Sequence, residues 1–256
     1  MNRSVPAGIL SWLAACVLVV GCTGKGLHKD DATGDLGRPQ EENPADLYVK
    51  LAVEYLRQGD MEKALLRAKK ALSEDPNDAQ AHNVIALIYQ RLGQRELAEA
   101  HFRKAVALAP EDPYVLNAYA SFLCGSGKFA EAESQYKKAL ANPLNPAPWI
   151  AMTNMGTCAE RNGKATKAEG YYSQALNANP SFGPALAAMA NLDYDRGRYK
   201  SAKTLLDRYF QVAQPTPQAL LLAVRVERKA GSRKRAETYA QLLRKSYPNS
   251  RELLQL

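Results

Sequence analysis

The sequence lacks the residue patterns on which most enzymes and metalloproteins depend. Its 256 residues include three histidines and four cysteines, and neither set has the spacing of a metal site. The hydrolase patterns HExxH and GxSxG do not occur. The segment GSGKF at 125–129 fits a phosphate-binding loop poorly, because Phe122 and Phe129 stand where that loop needs Gly and Ser or Thr. We therefore expect no catalytic activity, no metal ion and no dissociable cofactor.

A long apolar run is also missing. Residues 5–20 form the longest apolar stretch, which is shorter than the roughly 20 residues of a membrane-spanning helix. It ends in VVGC at 19–22, which resembles the lipobox of bacterial lipoproteins and implies that residues 1–21 are a signal peptide and that Cys22 carries acyl chains such as palmitate. The alternative is an ordinary cysteine at the end of a signal peptide or short anchor. Because Thr23 rather than Asp follows, we expect a lipid-anchored protein on the periplasmic face of the outer membrane.

Residues 22–44 are polar and rich in Gly and Asp. Such a composition buries too little surface to fold, so we predict a lipidated, flexible tether. The formal net charge is +8, and the loss of Arg3 with the signal peptide lowers it by one. Basic residues concentrate at 225–235 and 242–251. Because an exported protein does not ordinarily meet nucleic acid, the acidic partners open to these segments are anionic lipid, lipopolysaccharide or another protein; a solvated helix face is the simpler interpretation.

From residue 45 onward the chain repeats itself. Six glycines are spaced 34, 34, 36, 34 and 34 residues apart, and an alanine follows each glycine five residues later. These glycines are Gly59, Gly93, Gly127, Gly163, Gly197 and Gly231. Periods of this length mark solenoids, and the pattern resembles the tetratricopeptide repeat over residues 45–250. We predict repeats that start near 45, 79, 113, 149, 183 and 217.

Each repeat is expected to form two antiparallel helices, A and B. Positions 8 and 20, where the helices approach most closely, hold small residues such as Ala52 with Ala64 and Gly156 with Ala168. Larger apolar residues, Leu51 among them, lie at helical spacing on the faces expected to meet. The fold class predicted for residues 45–256 is therefore all-α: a right-handed superhelix of six tetratricopeptide helix pairs, which we expect to be monomeric.

Two cysteines remain after Cys16 leaves with the signal peptide and Cys22 is lipidated. Cys124 is position 12 of helix A in repeat three, and Cys158 is position 10 of helix A in repeat four. Neighbouring A helices pack closely enough for a disulfide only when both side chains point at each other. A disulfide and two buried thiols are both compatible with the sequence.

The resemblance to the repeat family also implies a binding groove, which helix A lines mainly through positions 2, 5, 9, 12 and 13. The first repeats place apolar residues at these positions where polar ones are usual, so we expect an exposed apolar stripe that binds an amphipathic partner helix. The expected groove residues are Val49, Val53, Leu56, Asn83, Leu87, Tyr114 and Asn117. The alternative is that the tether, or a different helix tilt, covers these side chains.

Two segments resemble the PilF/PilW pilotin lipoproteins of type IV pilus biogenesis in particular. They are AVEYLRQGDMEKALLRAKKALSEDPND at 52–78 and NMGTCAERNGKATKAEGYYSQAL at 154–176. The resemblance implies an outer-membrane lipoprotein that binds secretin subunits and promotes their localisation and multimerisation. The alternative is a lipidated repeat scaffold of another envelope complex, in outer-membrane assembly or in the regulation of peptidoglycan synthesis.

Overall fold

A computed structural model of the protein describes residues 43–256. The predicted signal peptide, the lipidation site Cys22 and nearly all of the tether lie outside the described residues. Residues 43–256 form twelve α-helices and a C-terminal 3-10 helix, with no strand among them. The helices are α1 Pro44–Gln58, α2 Met61–Glu74, α3 Ala79–Arg91, α4 Arg95–Leu108, α5 Pro113–Gly125, α6 Phe129–Ala141, α7 Pro148–Arg161, α8 Ala165–Ala178, α9 Gly183–Asp195, α10 Tyr199–Val212, α11 Pro217–Lys229, α12 Arg233–Ser246 and the 3-10 helix Arg251–Gln255.

The helices form six antiparallel pairs, in which odd-numbered helices are the A helices and even-numbered helices are the B helices. Each A helix packs against its own B helix, and each B helix packs against the next A helix. Successive A helices also contact one another along the stack. The predicted all-α superhelix of six tetratricopeptide helix pairs is confirmed.

Local sequence explains how each pair turns. At the end of α1, Gly59 has φ 83°, a left-handed conformation that glycine adopts without steric cost. The Asp60 N–H then donates to the Tyr55 carbonyl and the Gly59 N–H to the Leu56 carbonyl, which closes the helix end. The Asp60 side chain accepts from the Lys63 N–H and caps α2. One short turn therefore ends helix A and starts helix B.

Small residues allow the paired helices to approach each other. Ala52 and Ala64 are fully buried, and the same positions are filled by alanine in most other repeats. Repeat four uses Gly156 instead, where an added Cβ would lie 2.5 Å from Cε1 of Tyr172. Because the Tyr172 ring is itself fully buried, the glycine makes room for a large aromatic side chain in the core.

Gly156→Ala should therefore destabilise the protein. The new methyl group overlaps the Tyr172 ring, and overpacking of this kind costs about 1–3 kcal/mol. Gly170→Ala is the matched control, because Gly170 lies within α8 with nothing within 4 Å of an added Cβ. That control should stabilise the protein by about 0.5–1 kcal/mol, as expected for removing glycine from a helix interior. The free energy of unfolding of both variants is measured by urea denaturation. If Gly156→Ala and Gly170→Ala change it equally, the core around Gly156 can accommodate the added methyl group.

Candidate functional site

The concave face of the A helices carries the predicted groove residues in unequal environments. Val53 is 47% exposed and Tyr114 is 54% exposed, so both can touch a partner directly. Val49, Leu87 and Asn117 are half-buried. The exposed apolar part of the groove therefore centres on α1, where Val49 and Val53 lie one turn apart on the same face.

Two predicted groove residues are buried instead of exposed. Leu56 is only 6% exposed, because it packs with Ile85 and Ile88 of the next A helix. Asn83 is likewise 6% exposed. The predicted stripe of four exposed apolar side chains is therefore too long: positions 5 and 12 of helix A turn partly towards the following layer, which covers them.

Polar side chains tie the layers together along this face. Gln80 Nε2 donates to Asp112 Oδ2 at 2.8 Å, and Asn154 Nδ2 donates to Asn117 Oδ1 at 3.1 Å. Asn83 differs, because its Oδ1 has no hydrogen-bond donor among residues 43–256. A buried acceptor without a donor is costly, and burial closes this atom to a partner in the groove as well as to solvent.

The charges beside the apolar residues of α1 are mutually neutralised. Glu54 accepts from Arg57 Nη2 at 2.6 Å and from Gln58 Nε2 at 2.7 Å. These two bonds, that from Arg57 first, lower the pKa of the Glu54 carboxyl to about 2. Because its charge is matched by Arg57, this pair adds no net charge beside Val53.

A second apolar row on α1 was not predicted from the sequence. Leu47 and Leu51 are 46% and 36% exposed, although Leu51 was expected in the packed interface. The equivalent residues of repeat two, Ala81 and Ile85, are buried at 0% and 1% exposure because α2 packs against α3. No described repeat precedes α1, so the face that binds a helix in later repeats is open here. This exposed row could have been predicted by aligning the repeats, because α1 lies at the end of the described stack.

Repeats three and four are joined covalently. Cys124 and Cys158 form a disulfide with a Cα–Cα distance of 5.7 Å across 34 residues, and both are 5% exposed. A disulfide that closes a loop of this length stabilises a fold by roughly 3–4 kcal/mol in the chain-entropy model. It lies in the A-helix layer and joins the carboxyl-terminal ends of α5 and α7.

The basic groove positions of repeat six are occupied by the chain itself. The C-terminal 3-10 helix lies on α11: Arg225 Nη2 donates to Gln255 Oε1 at 2.6 Å, and Arg228 Nη1 donates to the Leu256 carbonyl at 2.8 Å. Leu253 and Leu256 pack against the buried Leu220 and Leu221. This end of the stack is therefore capped, whereas no described residue caps the stack before α1.

Within the described range, no helix is long and apolar enough to cross a membrane, and no three metal-ligating side chains come together. A stack of helix pairs with an open groove is the architecture of a repeat scaffold that binds other proteins.

Comparison with protein families identifies the repeat. One tetratricopeptide repeat model matches residues 49–113 and 123–184, and a second matches residues 159–223. The chain belongs to the tetratricopeptide repeat family, whose members are non-enzymatic protein-interaction modules. Comparison with curated proteins finds no significant match.

Comparison with solved structures shows which proteins with this repeat the chain resembles. PilW, described as a widely conserved type IV pilus biogenesis factor, is 32% identical with a TM-score of 0.71, over 82% of this chain and 97% of that chain. Pseudomonas aeruginosa PilF is 29% identical with a TM-score of 0.69, over 83% of this chain and 96% of that chain. A Parabacteroides merdae tetratricopeptide repeat protein at 19% identity and a TM-score of 0.64 shares the fold. The protein is thus a PilF/PilW-like tetratricopeptide repeat scaffold.

Proposed function

We propose that the protein is a pilotin: a lipoprotein anchored in the outer membrane through Cys22, which binds secretin subunits and promotes their localisation and multimerisation during type IV pilus biogenesis. The observation that carries this proposal is the likeness to PilW and PilF, which covers 97% and 96% of those two chains and 82% and 83% of this one. The VVGC segment at 19–22 adds the sequence pattern of a lipid anchor. Three acyl chains would hold a soluble repeat domain at a membrane, because each buried CH₂ contributes about 0.8 kcal/mol.

The partner is proposed to bind along α1 as an amphipathic helix. Val53 offers exposed apolar surface, Val49 lies beside it, and an apolar groove of helical spacing is a common receptor for such helices. At the other end of the stack the C-terminal residues cover part of α11, which makes repeat six a less accessible site.

The proposal is tested by capture of the secretin with the full-length protein extracted from membranes. The expected result is that the secretin copurifies with wild-type protein and that Cys22→Ala is lost from the outer-membrane fraction on fractionation. A strain in which the gene for this protein is deleted should contain fewer secretin multimers. If intact-mass analysis finds no acyl chains on the wild-type protein, the proposed lipid anchor at Cys22 is refuted. Capture of peptidoglycan synthases or outer-membrane assembly factors without secretin would instead favour a scaffold of another envelope complex.

A further inference from the structure

The six A–B turns lie along one edge of the stack. Successive A helices contact each other side by side, and every A helix is followed by a short turn, so their carboxyl ends share that edge. Contacts between repeats hold these turns in place. Arg91 Nη1 donates to the Leu56 carbonyl at 2.6 Å, Arg196 pairs with Glu169, and Arg198 Nη1 pairs with Glu169 Oε1 at 2.8 Å.

In the last three repeats this edge also carries six cationic side chains that, unlike these arginines, form no ion pair with another described repeat. All six side chains are exposed, and none has an ion-pair or side-chain hydrogen-bond partner within residues 43–256. We call this set the basic turn edge: Lys164, Lys167, Lys200, Lys229, Arg233 and Lys234.

The carboxylates nearby neutralise the basic turn edge only in part. Glu227 is 2% exposed and bound to Lys203 and Arg235. Glu169 is bound to Arg196 and Arg198. Glu133 is bound to Lys137 at 2.9 Å, and that bond first, with the nearby charges of Lys167 and Lys164, lowers the pKa of its carboxyl. Asp195 is exposed beside the turn of repeat five. Six cations against these few carboxylates leave an excess of positive charge at this edge, which attracts an extended anionic surface.

The cations also oppose helix stability. The first turns of α2, α4 and α6 hold Glu62, Glu96 and Glu131, which suit the positive end of the helix dipole. The first turns of α8, α10 and α12 hold no acid and carry Lys167, Lys200 and Lys234 instead. Because cations at a helix N-terminus are unfavourable, the fold itself does not account for them.

We propose that the basic turn edge docks on an anionic lipid surface. The charges are spread over three successive turns, on flexible side chains, and no exposed large apolar residue lies in those turns. Protein interfaces usually centre on aromatic or apolar residues, whereas a diffuse row of Lys and Arg is how polybasic segments recognise anionic headgroups. The contact uses neither the groove on α1 nor the acyl chains on Cys22.

The test uses residues 43–256, because this segment does not contain the proposed acylation site Cys22. This segment matches nearly the whole length of the solved PilF and PilW chains, which fold at that extent. Co-sedimentation is measured with vesicles of phosphatidylethanolamine and phosphatidylglycerol and with neutral phosphatidylcholine vesicles. We expect binding to the anionic vesicles alone, and a loss of binding as salt rises from about 50 to about 300 mM.

The decisive variant is the triple change Lys167→Glu, Lys200→Glu and Lys234→Glu. It should weaken the vesicle partition coefficient by about a hundredfold without lowering Tm, because each new Glu lies in the first turn of a helix. The matched control changes Lys69, Lys104 and Lys138 to Glu: these are exposed, lie in the second halves of α2, α4 and α6, and give the same change in net charge. The control should bind nearly as the wild type does.

Two results would overturn lipid docking. Equal loss of binding in both triple variants would show that only net charge matters. Failure of the wild type to bind anionic vesicles would also refute the proposal and would direct attention to an acidic protein as the partner of this edge.

Discussion

Val53→Glu should abolish partner binding while the repeat domain stays folded. Val53 is 47% exposed on α1, so a carboxylate there is solvated in the free protein and costs little stability. Under a bound apolar helix the same carboxylate would lose its water without gaining a partner. The variant also loses the roughly 1.5–3 kcal/mol that burial of an apolar side chain contributes. Because 1.4 kcal/mol is a tenfold change, we expect affinity to fall at least about a hundredfold.

Two matched variants locate the site. Leu66→Glu makes the same kind of change on α2, at a residue 60% exposed on a B helix and therefore outside the groove, so it should leave capture of the secretin intact. Leu51→Glu tests the second apolar row of α1. Binding is measured with purified secretin subunits, and folding is measured by circular dichroism and thermal denaturation.

Each outcome has a definite meaning. If Val53→Glu unfolds the protein, Val53 belongs to the core and the assignment of the groove face is wrong. If it folds and binds at wild-type affinity while Leu51→Glu does not bind, the partner helix occupies the open end of α1, where a preceding B helix would pack. If Val53→Glu and Leu51→Glu both bind at wild-type affinity, the partner does not bind to α1.

Glu227→Ala should cause a large loss of stability in the C-terminal repeats. Glu227 is 2% exposed, and its carboxylate binds Arg235 Nε at 2.9 Å and Lys203 Nζ at 3.4 Å. It thereby joins α10, α11 and α12. Removing one partner of a buried ion pair leaves uncompensated charge and typically costs 3–5 kcal/mol. Because Arg235 and Lys203 are partly exposed, water can solvate them in the variant. We therefore expect the free energy of unfolding to fall by about 3 kcal/mol, the lower end of that range.

Glu237→Ala is the control for that variant. The Glu237 carboxylate lies in the same region and pairs with Arg244 at 3.1 Å, but both side chains are more than half exposed. Exposed pairs contribute about 0–1 kcal/mol, so this change should be nearly neutral. Because long repeat arrays depart from two-state unfolding, hydrogen exchange in α10–α12 accompanies urea denaturation. A cost for Glu227→Ala no larger than that for Glu237→Ala would contradict the assigned role of the buried carboxylate.

The sequence was sufficient for the architecture because a helix pair is specified by local spacing. Gly59 and its equivalents permit the left-handed turn, and Ala52 with Ala64 permits the close approach of the two helices. A pattern of this kind repeated at a constant period has few other ways to bury its apolar faces than to stack. The same spacing put Cys124 and Cys158 in adjacent layers, although it left their pairing open.

The surfaces available to partners depended on packing between repeats, which no single repeat encodes. Leu56 and Asn83 occupy groove positions in the repeat pattern, yet the neighbouring layer covers them. Leu51 occupies a core position, yet it is 36% exposed, because no described helix precedes α1. Likewise, equivalent basic residues at the turn edge are either bound to the preceding repeat, as Arg198 is to Glu169, or left without an ion-pair partner among the described residues, as Lys164 is. Burial and ion pairing are set by what the adjacent layer places within a few ångströms, and only the assembled stack supplies that neighbour.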